Sequence, residues 1–138
     1  MYKISFYDTK PYDRQFFDKA NELFGFDIHY YETKLSPKTA VLAVGSKAVI
    51  AFVNDDISKE TINRLCEQGT ELIAMRCAGY NNVDLEASHG KIKVVRVPVY
   101  SPYAVAVHAM AMLLTLKRKI HKAFISTRDH NFSLNGLT

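Results

Sequence analysis

Cysteine is scarce: only Cys66 and Cys77 occur in 138 residues. They stand in apolar surroundings and without Cys-x-x-Cys spacing, so a disulfide scaffold is excluded and the pair reads as two reduced thiols of a cytoplasmic protein. No stretch approaches the ~20 apolar residues that a membrane-spanning helix needs. The longest nearly apolar run, Ala104 to Leu116, is interrupted by His108. Residues Met1 to Tyr7 are too short for a signal peptide and already have the character of a strand. There is neither a low-complexity tract nor an internal repeat. Gly-x-Gly-x-x-Gly and Gly-x-x-x-x-Gly-Lys are both absent, so no complete phosphate cradle is encoded. The histidines at 29, 89, 108, 121 and 130 have no metal-ligand spacing with acids or cysteines, and no metal is expected. No serine or cysteine sits in a recognisable triad neighbourhood.

What is present is a soluble, globular composition, 48% hydrophobic, with room for one domain and a real core. The net charge of +4 is unevenly placed. Residues 1–116 are neutral overall, and the excess lies in Lys117, Arg118, Lys119, Lys122 and Arg128 against Asp129 alone. Cations at the end of a helix suit the negative end of its macrodipole. That explains the cluster without a nucleic-acid partner, and neither nucleic acid nor membrane is expected.

Short β-branched or aromatic runs alternate with helical stretches. Ile4–Tyr7 reads as a first strand. Asp13 to Phe24 reads as a helix with Phe16, Phe17, Ala20, Leu23 and Phe24 inward and Gly25 as its C-cap. Ile28–Tyr31 is a second strand, and Ser36-Pro37 should open a short helix that stops at Gly45. The continuous apolar run Ala48–Val53 predicts a strand covered on both faces. Ser58 can cap a helix with Ile62, Leu65 and Cys66 inward, ending at Gly69. Leu72–Met75, a short helix over Asp84–His89 and Ile92–Val97 complete the series. Strand-then-helix units in succession predict an α/β fold, a flavodoxin-like parallel five-stranded sheet with helices on both faces; one sequence does not give the strand order, and 2-1-3-4-5 is the commonest solution at this size.

After Pro98 the character changes. Ser101-Pro102 should start one long helix running to about Ser126, apolar nearly all round from Ala104 to Leu114. A helix without a polar face must be covered on every side, yet only a polar loop with no closing strand follows. The expectation is that this helix belongs to something larger, a further domain or a second subunit, and that the chain is cut.

In open parallel sheets, ligands bind outside the carboxyl ends of the strands. Four loops qualify: Asp8–Tyr12, Asn54–Ile57, Arg76–Val83 and Pro98–Pro102. The third carries small residues and Gly79, which let backbone N–H groups approach a ligand and form a nest for a carboxylate. An ordinary turn with Asp84 capping the next helix is the plainer alternative.

At these same loops the sequence resembles a known family. Phe52-Val53-Asn54-Asp55-Asp56, Arg76-Cys77-Ala78-Gly79-Tyr80-Asn81-Asn82-Val83-Asp84, Val94 to Pro102 and Thr127 to Leu134 are similar, in one register, to the D-isomer-specific 2-hydroxyacid dehydrogenases, and within them to the fermentative D-lactate enzymes. The resemblance implies NAD as cofactor, pyruvate or D-lactate as substrate, and a homodimer or higher oligomer joined through the 101–126 helix. It implies that residues 1–100 are the substrate domain and that residues 101–138 open a Rossmann-type NAD-binding domain. It implies that the catalytic arginine, glutamate and histidine lie beyond residue 138, leaving no catalytic residue here and an inactive chain. It assigns the backbone N–H groups of Ala78 and Gly79 and the Tyr100 hydroxyl to the substrate carboxylate, Phe52 to its methyl, and Val105 to the neighbourhood of the nicotinamide. Two departures stand out. Val107 occupies a position where the family commonly carries glutamate, and the stretch 87–90 is about a residue short. Other D-2-hydroxyacids remain open as substrates. The rival reading is a phospho-accepting receiver module built on Asp8 with Asp55 or Asp56. It would also want a hydroxyl residue after the fourth strand and a lysine after the fifth, and those loops offer Arg-Cys-Ala-Gly and Pro-Val-Tyr-Ser-Pro. A nucleic-acid-binding fragment working through the basic helix end is a second rival.

Overall fold

The computed structural model describes residues 2–137. It forms two compact units, residues 1–100 and 101–138. The first contains β1 (Lys3–Phe6), α1 (Pro11–Asn21), β2 (Asp27–Tyr30), β3 (Ala48–Ala51), α2 (Lys59–Glu67), β4 (Leu72–Met75), α3 (Leu85–Ser88) and β5 (Lys93–Arg96). Its five strands are all parallel, in the order β2-β1-β3-β4-β5. Strand order, strand direction and class therefore agree with the sequence reading.

The pleat sorts the side chains. Ser5, Val49, Ala51, Ile73 and Met75 are buried on one face, which packs with Leu35, Ala40, Ala43, Ile62, Leu65 and Ala87 into the main core. On the opposite face Phe6 meets Phe17 of α1 edge-on, ring centroids 4.7 Å apart. Alternate residues of the middle strands, Ala48 and Ile50, Leu72 and Ala74, are only half-buried on that side. The strand within the run 48–53 ends at Ala51 and is covered fully on one face and partly on the other, while Val53 is exposed, short of the two-sided burial that the apolarity predicts.

Local boundaries differ for identifiable reasons. Helix α1 begins two residues before Asp13, with Pro11 at its first position, where a missing N–H costs nothing. It ends at Asn21, whose side chain donates to the Phe26 carbonyl and accepts from the Phe26 N–H, each at 2.8 Å. Leu23 and Phe24 therefore fall in the following turn. Phe16, Leu23 and Phe24, expected inward, are exposed. Gly25 does close the turn, at φ 66°, a conformation that glycine adopts without steric cost. The segment after Ser36-Pro37 is a hydrogen-bonded turn followed by a 3-10 helix over Ala40–Ala43, not an α-helix. There Ser36 and Thr39 bond each other's backbone and hydroxyl groups, which competes with regular helix. Ser58 stands at the N-cap of α2 without making a capping bond. Asp84 caps α3 through Ala87 N–H at 2.9 Å.

The second unit holds α4 (Pro102–Lys117) and α5 (Ile120–Arg128). The single long helix expected from 101 to 126 is interrupted at Lys119, which takes the left-handed conformation at φ 51°. Neither proline nor glycine marks that break in the sequence, so composition gave no warning of it. No residue of α4 is buried, and after α5 no strand follows among the described residues. None of the helices is long and apolar enough to cross a membrane among the described residues.

Candidate substrate-binding site

The loops at the carboxyl ends of β3, β4 and β5 enclose a cavity of about 470 Å³, lined by Phe52, Val53, Arg76, Cys77, Ala78, Gly79, Val97 and Tyr100. Four of the residues singled out by sequence, Phe52, Ala78, Gly79 and Tyr100, are brought together there. Most of the lining is apolar, which suits a small ligand with a hydrocarbon end. Val105 belongs to the second unit and is exposed on α4.

The polarity of the 77–79 loop is one-sided. All three of its carbonyl oxygens are engaged. Cys77 O accepts from Val97 N–H at 3.2 Å, Ala78 O from Arg96 Nη1 at 3.0 Å, and Gly79 O from Cys77 Sγ at 3.2 Å. By contrast, among the described residues the N–H groups of Ala78 and Gly79 have no acceptor. A loop whose acceptors are satisfied and whose donors are free is a ready partner for an anion. Gly79 keeps an ordinary backbone conformation, and a Cβ there would meet Val53 Cγ2 at 3.6 Å. An added methyl would therefore be accommodated by the fold but would line the same cavity wall.

Two arginines and an aspartate shape this wall, and sequence reasoning passed over their roles. Arg76 lies over the Phe52 ring, 4.2 Å from its centroid. It donates to the Asp8 carbonyl at 2.7 Å, and its guanidinium nitrogens lie 3.8 and 3.6 Å from carboxylate oxygens of Asp8 and Asp13. Asp55 accepts from the N–H groups of Phe52 at 2.6 Å and of Leu35 at 2.8 Å. Burial raises the Asp55 carboxyl above its usual range, against the lowering effect of those two N–H groups. Burial also pushes the Cys77 thiol up, so the thiol form that donates to Gly79 O is favoured. Asn82 ties the two loops together, its amide nitrogen donating to the Phe52 and Asp55 carbonyls at 3.0 and 2.8 Å. Apart from the local bonds of Phe52 to Asp55 and of Cys77 to Gly79, these contacts join residues far apart in the chain, so no local signal announced them.

The receiver-domain rival loses its geometry here. Asp8 is paired with Lys10 at 2.9 Å and neighboured by Arg76, while both oxygens of Asp55 are committed to backbone donors. A dinucleotide does not fit the residues present either. Gly25, Gly45, Gly69, Gly90 and Gly136 all take positive φ, and none precedes a helix as part of a glycine-rich loop. The N-cap residues of α1, α2, α4 and α5 are Lys10, Ser58, Ser101 and Lys119. A phosphate cradle of the Gly-x-Gly-x-x-Gly kind is thus missing among the described residues.

Comparison with known proteins identifies the family and the fold. The family described as D-isomer specific 2-hydroxyacid dehydrogenase, catalytic domain, matches residues 4–132. The D-lactate dehydrogenase of Escherichia coli is 50% identical over 137 residues, 99% of this chain and 42% of that protein. Its apo structure superposes with a TM-score of 0.87, over 99% of this chain and 43% of the other. The pyruvate reductase of Chlamydomonas reinhardtii gives a TM-score of 0.87 at 38% identity, over 100% of this chain and 41% of that one. A D-isomer specific 2-hydroxyacid dehydrogenase from Lactobacillus delbrueckii, solved in its NAD-complexed form, gives 0.68 at 25% identity, over 95% of this chain and 40% of the other. The chain thus spans about 42% of the length of its E. coli relative. With the parallel sheet, the loop cavity and a family match over residues 4–132 in agreement, this chain belongs to the D-isomer-specific 2-hydroxyacid dehydrogenase family.

Proposed function

We propose that this chain supplies the substrate-binding wall of an NAD-dependent D-2-hydroxyacid dehydrogenase that interconverts pyruvate and D-lactate. The observation that carries the reading is the loop 77–79, with every carbonyl engaged and the N–H groups of Ala78 and Gly79 left unbonded beside an apolar cavity. In this reading the two N–H groups hold the substrate carboxylate and the Tyr100 hydroxyl donates to it. Donors held in place before the anion arrives avoid the cost of ordering them on binding. Phe52, kept in orientation by Arg76, faces the methyl group.

Residues 1–100 act as the substrate domain, and residues 101–138 open the NAD-binding domain, with Val105 contributing near the nicotinamide. The all-round apolar α4 is the surface through which a homo-oligomer is joined. The absence of a dinucleotide cradle supports assigning the cofactor, and the groups that transfer hydride and proton, to the remaining length found in the relatives.

The test is an assay of pyruvate-dependent NADH oxidation on two proteins: this chain, and this chain joined in frame to the remaining length of the E. coli relative. No turnover is expected from the first and clear turnover from the second. Turnover by the chain alone would contradict the division of labour. A folded, NADH-binding chimera that reduces no 2-oxoacid would contradict the substrate assignment.

A further inference from the structure

Arg96, the last residue of β5, reaches the proposed site through backbone carbonyl oxygens. Its Nη1 lies 3.0 Å from Ala78 O, 3.3 Å from Val97 O and 3.2 Å from Pro98 O. Its guanidinium carbon lies 5.0 Å from the centroid of the Tyr80 ring. One side chain therefore grips both loops that carry the proposed carboxylate donors: the loop of Ala78 and Gly79, and the loop that leads through Pro98 to Tyr100.

The consequence follows from the peptide group. In a planar trans peptide, the C=O of one residue and the N–H of the next point in opposite directions, and no described peptide is cis. Arg96 fixes the direction of Ala78 O, so it also fixes the Gly79 N–H to point away from Arg96. The Val97 N–H does the same one residue earlier: by holding Cys77 O it sets the direction of the Ala78 N–H. Both free donors are thus aimed by bonds made to the carbonyls behind them. In an exposed loop without that anchor the Ala78–Gly79 peptide can rotate as a unit, because glycine opposes such a rotation weakly.

We infer that Arg96 is a positioning residue for carboxylate binding, acting through the Ala78–Gly79 peptide and not through contact with the substrate. The inference rests on the proposed role of the two N–H groups, but it makes a separate claim about the free protein. Arginine suits the task because one nitrogen of its planar guanidinium, Nη1, lies within reach of three carbonyls while the flat group lies over an aromatic ring.

The experiment uses the 15N-labelled chain and two variants. Arg96→Met keeps the aliphatic stem and removes the donors, and Arg96→Lys keeps the charge. Without ligand, the order parameter and residual dipolar coupling of the Gly79 N–H should both fall in Arg96→Met, while the amides of Val49 and Ile73 stay as in the parent. With pyruvate as the probe, Kd should rise roughly tenfold, equal to about 1.4 kcal/mol. Arg96→Lys should restore order and affinity together and only in part. A Gly79 amide as ordered in Arg96→Met as in the parent overturns the inference, whatever pyruvate does. So does an Arg96→Lys protein that binds pyruvate normally with Gly79 disordered, since charge and not aim would then be responsible. If the parent binds no pyruvate while Arg96→Met still loosens Gly79, the carboxylate reading fails and the aiming role stands.

Discussion

Ile73 in β4 and Leu113 in α4 are both large aliphatic residues within regular structure, yet Ile73 is fully buried and Leu113 is 55% exposed. In residues 1–100 the alternation of the strands decides which side chains go inside. The half-polar helix α2 then turns Ile62 and Leu65 to meet them. In residues 101–138 the apolar side chains of α4 surround the helix, so the sequence defines no inner face, and among the described residues of this unit none is buried. The first unit is built around its own interior. The second leaves its apolar side chains exposed, and the difference teaches that apolar content alone does not make a core.

Paired truncations would break or confirm that comparison most strongly. Ile73→Ala should cost about 2–5 kcal/mol, the range for emptying a buried aliphatic site. Leu113→Ala should stay within about 0.5 kcal/mol, as at exposed positions. Urea denaturation followed by circular dichroism measures both. Equal losses would show that the second unit has a packed interior after all.

The next effect in size concerns the boundary between the units. Tyr100 is the last residue of the first unit and lines its cavity. In the chimeric enzyme, Tyr100→Phe should raise the KM for pyruvate by the loss of one charge-assisted hydrogen bond, ~1.5–3 kcal/mol. Steady-state kinetics that match the parent would remove Tyr100 from the site and move the functional boundary towards the sheet.

The smallest effect sharpens the account of the first unit. Asp55→Asn leaves one of the Leu35 and Phe52 N–H groups facing an amide nitrogen, at a cost of about 1–3 kcal/mol. The pH dependence has a definite sign. Burial sets the folded-state pKa of Asp55 above its ordinary value of 3.8, so folding favours the protonated acid. The stability linked to this group is complete below pH 3.8 and is lost as pH rises through the folded value. The stability of the parent relative to Asp55→Asn should therefore grow as pH falls from neutrality towards 4. Thermal melts across that range read it directly, and a difference that shrinks on acidification would reverse the assignment.

Much of this was legible in the sequence, for reasons that can be named. Leu72–Met75 was placed to the residue because its apolar run is bounded by Gly69 on one side and a charged loop on the other. The sheet order was not in the sequence itself; the observed β2-β1-β3-β4-β5 is the commonest arrangement for five strand-helix units of this size. Ala78, Gly79 and Tyr100 lie in loops that the carboxyl-end rule for open parallel sheets selects, Phe52 was singled out by the family resemblance alone, and the four line one cavity. The misses share a cause. Asn21 ends α1 early through a side-chain bond to Phe26, Ser36 and Thr39 divert a helix into a turn, and Lys119 breaks a helix without glycine or proline. Arg76 and Arg96 work by reaching carbonyls 68 and 18 residues away. Such choices depend on where a polar side chain finds its partner, which hydrophobic periodicity does not encode.

The most direct test of the central claim is a crystal structure of this chain with oxamate, a pyruvate-like carboxylate. Its carboxylate oxygens should lie within ~3.2 Å of the backbone nitrogens of both Ala78 and Gly79, with the Tyr100 hydroxyl alongside. Oxamate bound at another place, with those two amides still unbonded, would contradict the account.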